Sequence, residues 1–296
     1  MRGIFNNLMD TPILFLIYNR PEYTKKVFNS IRDAKPNRLF IHADGPKKDK
    51  PEDVKLCERS REIVSNVDWD CEVKTLFRDK NLGCKLAESG GFNWFFENVD
   101  EGIIIEDDCL PNKSFFLYCE KLLKKYRDNE KVMMISGSNP ATSVDIDADY
   151  FFSIFYHSWG WATWKRAWEK YDITISDWPR LRGTNFLKSK FPHSEVNRAF
   201  VEQMFDQAYK GKASTWDIQW TYACLVNDGY AILPKHNMIS NIGYIGTHEM
   251  NNDQLMLETK EIDFKKFKHL KKLEVNYSLE KHLFEKSGLE GLINKK

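Results

Sequence analysis

Gly102-Ile103-Ile104-Ile105-Glu106-Asp107-Asp108 sets three isoleucines directly before three carboxylates. An apolar, β-branched run without polar alternation is what a strand covered on both faces requires. The acids that follow it repel one another at the end of a buried element, which a bound cation would relieve. In extended backbone successive side chains alternate, so Glu106 and Asp108 fall on one face and Asp107 on the other. Mg²⁺ or Mn²⁺ fits such a corner, because these ions take one or two carboxylates and complete their shell with water and phosphate oxygens. The plainer alternative is an acidic loop that solvates itself or caps the helix starting near Asn112.

Reading outward, Pro12 to Tyr18 is a second uninterrupted apolar run, closed by Asn19-Arg20-Pro21. Helical spacing over 22–34 ends before Pro36, and a strand at 38–43 stops at Asp44-Gly45-Pro46. A helix at 52–66, a strand at 71–77 and a helix at 85–98 lead to the isoleucine run. Strands alternating with crossover helices predict an α/β fold with a mixed, mainly parallel sheet flanked by helices, whose ligands gather at the carboxyl ends of the strands. Those ends carry Asn19 and Arg20, Asp44, and Glu106 to Asp108. Beyond the strand at 132–136 the alternation breaks down. An aromatic strand is expected at 150–156, helices at 195–209 and 217–226, and a strand at 230–233. Trp161, Trp164 and Trp168 are spaced to share one helical face and pack in the core. The resulting division is residues 1–255, in halves 1–136 and 137–255, followed by a Lys-rich helical appendage at 256–296.

Composition bounds the function. With 42% hydrophobic and 14% aromatic residues among 296, the chain buries a sizeable core and is not intrinsically disordered. Forty-four basic residues against forty-three acidic ones leave a net charge of +1, which argues against a generally basic, nucleic-acid-binding surface. The six cysteines show neither C-x-x-C pairs nor zinc spacing, and the early apolar run is too short for a membrane span or signal core. A cytoplasmic location follows as the expectation.

These stretches resemble the GT-A glycosyltransferases, whose Rossmann-like sheet delivers a D-x-D-type acidic motif to the metal and diphosphate of a nucleotide sugar. Here that motif stands as Glu106-Asp107-Asp108. The likeness is to animal N-acetylglucosaminyltransferases of the N-glycan and O-mannose pathways and to bacterial glycosyltransferases with the same acidic form, and it spans approximately residues 12 to 250. It includes Asn19-Arg20-Pro21, Asp44-Gly45, Asn81-Leu82-Gly83, Gly160-Trp161, Trp216-Asp217-Ile218-Gln219-Trp220, and the loop Ser240 to His248. The resemblance implies that Asp108 ligates Mn²⁺ or Mg²⁺ while Glu106 and Asp107 orient its waters and the donor. It places Asp44 and Arg20, with neighbouring Asn19, at the nucleotide, and His248 near the metal or diphosphate.

Asp217 is the candidate base, since a sugar hydroxyl attacking an anomeric carbon must lose its proton, and flanking Trp216 and Trp220 would desolvate the carboxylate. Its competing role is helix N-capping. Asp44 reads equally well as part of an Asp-Gly-Pro turn. Trp159, Gly160, Trp161 and Trp216 form the expected acceptor side, Gly160 allowing a turn that frees an indole to stack on a sugar. Overall the sequence reads as a metal-dependent, inverting transferase moving a sugar from a UDP-linked donor, with N-acetylglucosamine the favoured sugar. The acceptor is a glycan or lipid-linked glycan, in keeping with bacterial surface-polysaccharide synthesis. The alternatives are a sugar nucleotidyltransferase, disfavoured by the lack of a Gly-rich loop after the first strand, and a non-catalytic carbohydrate-binding protein. Lys265, Lys266, Lys268, Lys271 and Lys272 leave open a peripheral contact with an anionic inner membrane surface, against the plainer reading of a solvated helix.

Overall fold

A computed structural model describes residues 9–243 and 257–286. The first crossovers fall where the apolar patterns predict: β1 (Ile13–Ile17) leads to α1 (Pro21–Ala34), β2 (Arg38–Ala43) to α2 (Pro51–Ser65), and β3 (Glu72–Phe77) to α3 (Cys84–Asn98). The isoleucine run is β4 (Glu101–Glu106), followed by the short β5 (Cys109–Pro111), α4 (Phe115–Tyr126) and β6 (Val132–Ser136). Then come β7 (Tyr150–Ser153), β8 (Trp161–Trp164), α5 (Lys165–Trp168), α6 (Trp178–Leu181) and α7 (Phe186–Lys190). The chain continues through α8 (Glu195–Tyr209), α9 (Asp217–Val226), β9 (Tyr230–Pro234), β10 (Ile239–Asn241) and α10 (Tyr277–Lys286).

One eight-stranded sheet has the order β3-β2-β1-β4-β8-β6-β9-β7, and β5 pairs separately with β10. The pairings make β3, β2, β1, β4, β6 and β9 run one way, with β8 and β7 opposed. The expected mainly parallel α/β sheet is therefore present, and β6 to β9 continue the same sheet into the second half of the chain. β1 and β4 lie in register at its centre, Ile13 opposite Ile103 and Phe15 opposite Ile105. Ile13, Phe15, Ile103 and Ile105 pack with Val27 and Phe28 of α1 and Leu122 of α4, whereas Leu14, Leu16 and Ile104 meet Phe92, Phe95 and Phe96 of α3. Each buried isoleucine contributes about 1.5–3 kcal/mol of transfer free energy, which explains why these strands carry no polar alternation.

Chain order determines where a ligand fits. From β1 the chain moves outward to β2 and β3, then returns to place β4 on the other side of β1. The connections leaving β1 and β4 diverge at that switch point and open a crevice beyond their carboxyl ends. Arg20 follows β1 and Asp107 follows β4, so topology alone brings them together.

The tryptophan spacing misled. Trp161 and Trp164 belong to a strand rather than to a helix, and they point to opposite faces, Trp161 toward α3 and Trp164 toward α4. Because both faces of β8 are covered, bulky apolar residues suit either side, and an i, i+3 spacing carries no helical information there. From residue 257 the chain runs back over the fold as a strap with one short 3₁₀ turn at Phe264–Lys266, and Val275 bridges to Phe152. Its α-helical part is α10, whose Leu283 and Phe284 are buried. Among the described residues no helix is long and apolar enough to cross a membrane.

α10 also buries Glu280 beside Ser153 and the Ile154 N–H, and one of its oxygens finds no partner. Burial pushes this carboxyl from 4.5 up to about 8. An acid with a raised folded-state pKa keeps a proton that the unfolded chain has lost, so its contribution to stability declines as pH rises from about 4.5 to about 8. Glu280→Gln, a mimic of the protonated acid, is expected to raise the melting temperature by several degrees near pH 9 and to change it little near pH 5, as scanning calorimetry would read.

Candidate functional site

The turn from β1 into α1 takes only Tyr18, Asn19 and Arg20, with Pro21 opening the helix. The Tyr18 N–H donates to Asp107 Oδ2 at 3.1 Å. The Tyr18 hydroxyl and Asn19 Nδ2 both donate to buried Asp53 of α2, at 2.5 and 2.8 Å, so Asn19 anchors the turn. Arg20 reaches across the crevice, its Nη2 lying 3.0 Å from Asp107 Oδ1 and its Nη1 2.6 Å from Asp108 Oδ2. Burial works against the guanidinium charge, but Asp107 and Asp108 outweigh it and hold the Arg20 pKa above its usual value.

The strand ends at Glu106, so the alternation expected along Glu106-Asp107-Asp108 does not extend through the turn that holds Asp107 and Asp108, and Arg20 binds both of them. Asp107, 2% exposed, is held by Arg20 and the Tyr18 N–H. Glu106 and Asp108 form, with Cys109, a group whose ligand atoms all lie within 4.8 Å of one another. Burial pushes Asp107 up to about 6, Arg20 opposing the rise, and burial next to Glu88 and Asp108 raises Glu106 well above the ordinary carboxyl range. Burial also keeps the Cys109 thiol protonated, and it donates to Asp108 Oδ1 at 3.5 Å. Two clustered carboxylates short of positive charge fit a hard divalent cation, whereas a protonated thiol does not join its shell.

The third wall comes from the end of β10. Ile242 N–H donates to the Asp108 carbonyl at 2.7 Å, and Gly243 follows, fixed by Asn241 Oδ1 at 3.0 Å. A Cβ at Gly243 would collide with Asp108 Oδ2 and Arg20 Nη1, so only glycine lets this segment close over the ion pair. The resulting cavity, about 380 Å³, is lined by Arg20, Asp44, Glu88, Glu106, Asp108 and Trp159, among others.

Asp44 lines the cavity from the end of β2, and its carboxylate accepts from the Gly45 N–H, Asn81 Nδ2 and the Leu82 and Gly83 N–H groups at 2.8 to 3.1 Å. It clamps the loop that enters α3 while facing the ligand space. Trp159 is half-buried on the cavity wall. Trp161 is wholly buried and Trp216 is 3% exposed, stacked with their ring centroids 5.3 Å apart, so neither presents a face to a sugar. Gly160, at φ +58°, makes its close approach to Ile239 and Phe115 of the core rather than to open space. His248 lies outside the described residues.

Asp217 is the first residue of α9, after the N-cap Trp216, and among the described residues its buried Oδ1 has no hydrogen-bond partner. It is not in the cavity wall itself. The link is Glu88, which lines the cavity and accepts the Trp216 indole N–H. Burial pushes Glu88 up to about 7, Asp217 and Asp108 adding to the rise and the Cys84 and Trp216 donors opposing it. Glu88 thus stands within electrostatic reach of both the acid triplet and Asp217. Sequence reasoning passed over it because Lys85 to Asn98 reads as an ordinary crossover helix. It also passed over His42, a buried cavity-lining imidazole on β2 held near 4 by burial and by Arg78 and Arg61. The one available signal was a histidine inside an otherwise apolar strand.

No protein-family model and no curated protein matches the chain. Among solved structures it is similar to a UTP-bound UGPase from Acinetobacter baumannii, with 7% identity and a TM-score of 0.39 over 79% of this chain and 89% of that one. A UDP-glucose pyrophosphorylase complexed with UDP-glucose matches at 10% identity and a TM-score of 0.40 over 80% of this chain and 95% of that one. HddC from Yersinia pseudotuberculosis matches at 12% and 0.34 over 54% and 80%. Similarity at this level assigns neither reaction nor residues.

Gly243→Ala tests the closure of the site. Overpacking of this kind costs about 1–3 kcal/mol, so the melting temperature read by scanning calorimetry is expected to fall by several degrees while the sheet stays folded at room temperature.

Proposed function

We propose that the cavity binds a nucleoside diphosphate sugar together with Mn²⁺ or Mg²⁺, and that the chain transfers the sugar, with inversion, to a glycan hydroxyl. The observation that carries this reading is the convergence of Glu106 and Asp108 within one ligand shell at the β1/β4 switch point, beside Arg20. Asp108 and Glu106 would hold the cation, which supplies neutralisation of the charge growing on the leaving diphosphate, worth several kcal/mol. Arg20 keeps Asp107 and Asp108 in place and offers its remaining donors to phosphate oxygens. Asp44, His42 and the Asn19 turn lie toward the nucleoside, for which uridine is the first candidate.

On the acceptor side, Asp217 takes the hydroxyl proton. Its buried Oδ1, without a hydrogen-bond partner among the described residues, supports that role. Trp159 supplies a half-buried indole on the cavity wall, and Trp161, Gly160 and Trp216 act as the packed support behind it. The resemblance to N-acetylglucosaminyltransferases makes UDP-N-acetylglucosamine the donor to try first.

A second reading is nucleotidyl transfer, in which a sugar phosphate oxygen attacks the α-phosphorus of a nucleoside triphosphate, forming the nucleoside diphosphate sugar as pyrophosphate leaves. Arg20 at the end of β1 is the feature that favours it. Against it stands the loop itself: three residues without glycine, one N–H committed to Asp107, and a proline that removes another donor. That turn has little backbone left to cradle a triphosphate.

One assay separates the two. The chain is incubated with Mn²⁺ and a panel of nucleotide sugars, either with acceptor glycans or with pyrophosphate. Acceptor-dependent UDP release supports glycosyl transfer, whereas pyrophosphate-dependent UTP formation would replace it with the second reading. Asp108→Asn is expected to abolish turnover and Mn²⁺-dependent UDP binding together. Asp217→Asn is expected to lower kcat by roughly 10²–10⁴-fold with UDP binding intact, as loss of a general base does. Near-normal turnover in the Asp217 variant, with loss in Glu88→Gln, would move the base to Glu88.

A further inference from the structure

Away from the cavity, the C-terminal strap folds against α4. Lys121, Lys124 and Lys125 from the helix and Phe264, Phe267 and His269 from the strap enclose a concavity of about 390 Å³. Its lining includes stacked rings, Phe264 and Phe267 lying 5.5 Å apart and Phe267 lying 6.0 Å from Tyr150. Lys121 Nζ stands 6.0 Å from the Phe264 ring centre. Lys265 and Lys266 are exposed on the same strap. Among the described residues no carboxylate forms an ion pair with Lys121, Lys124, Lys125, Lys265 or Lys266, whereas neighbouring Lys268 is paired with Asp147. Exposed Glu261 and Asp263 stand on the same strap, so in a chain of net charge +1 the local excess of positive charge rests chiefly on the three lysines of α4. The helix dipole accounts for Lys124 and Lys125 in the last turn of α4, but not for the Phe- and Lys-bearing strap laid against them.

The donor chemistry narrows the partner. Every permanently charged group lining the groove is an ammonium, and no guanidinium fork lines it to fix the orientation of a single phosphate. Point charges on flexible stems over half-buried phenyl rings suit a broad plane of anionic headgroups with an apolar layer beneath it. We propose that this groove is a docking surface for an anionic lipid bilayer. Headgroup phosphates meet Lys121, Lys124 and Lys125, the strap lysines flank them, and Phe264 and Phe267, packed against the core, hold the strap that forms the floor of the groove. α4 starts seven residues after Asp108 and carries Lys125 about 15 Å along its axis, so docking holds the cavity at a fixed distance from the membrane.

The test is flotation of the full chain with phosphatidylcholine vesicles, alone or with about one-third phosphatidylglycerol. Binding is expected only to the anionic vesicles and is expected to weaken with salt. Removing Lys121, Lys124 and Lys125 together by Lys→Ser is expected to weaken it on the order of a hundredfold, about fivefold per lysine. The triple Lys→Arg variant retains binding, and so does the removal of Lys188, Lys210 and Lys212 elsewhere on the surface. Equal binding to neutral vesicles, no loss in the serine variant, or equal loss in the distant variant would overturn the proposal. Displacement from vesicles by millimolar inorganic phosphate would replace it with a discrete phosphate site, and binding of duplex DNA without binding of vesicles would also overturn it.

Discussion

A charge imbalance at the end of β4 governs the rest of the structure. Glu106, Asp107 and Asp108 leave the sheet together, Glu88 approaches from α3, and among the described residues the one guanidinium that pairs with the triplet belongs to Arg20. At an effective dielectric near 20, two unit charges about 4 Å apart interact by roughly 4 kcal/mol, so three or four carboxylates around one cation cannot all stay ionised cheaply. Burial first, and the neighbouring carboxylates second, raise the proton affinities of Glu88, Glu106 and Asp107. A divalent cation would relieve the repulsion in a different way, by supplying positive charge between the carboxylates. Burial thereby makes the corner selective for positive charge.

That corner was legible because its cause is local. Two strands covered on both faces read as unbroken apolar runs, and the turn chemistry after each marks where side chains re-emerge. Asn19-Arg20-Pro21 and Glu106-Asp107-Asp108 are conspicuous for this reason, but strand alternation does not extend through the triplet, because β4 ends at Glu106, the next two acids lie in a turn, and Arg20 binds both Asp107 and Asp108. Asp44 shows the limit of such reading. An acid in a turn and an acid facing a ligand look identical in sequence, and here the carboxylate holds the Asn81 to Gly83 loop while bordering the cavity.

What escaped sequence reading depends on contacts between distant segments. Glu88 sits in a helix whose residues look like any solvated crossover, and its partner Trp216 lies 128 positions away. Trp161 and Trp164 follow a helical spacing by coincidence, because a strand packed on both faces places no constraint on which positions are large. The strap is similarly opaque: its lysines suggest a solvated helix, while Phe264, Phe267 and Val275 make it an extended segment laid across the sheet.

Burial of Trp161 and Trp216 gives the aromatic cluster a different role from stacking on a sugar. Phe92 of α3 touches Trp161, Trp168 and Trp216 with ring centroids 4.6 to 5.6 Å apart, so the helix carrying Glu88 and the residue preceding Asp217 share one rigid packing unit. The Trp216 indole adds a directional bond to Glu88 on top of that apolar contact. Aromatic pairs of this geometry add about 0.5–1.5 kcal/mol each beyond their buried area, enough to hold the start of α9 in one position against α3. Since α3 also borders the acid triplet, the separation between Asp217 and the cation corner is set by core packing rather than by a loop. A reaction needing a base and a charged leaving group at fixed separation gains from that arrangement, because the geometry is fixed before any ligand arrives.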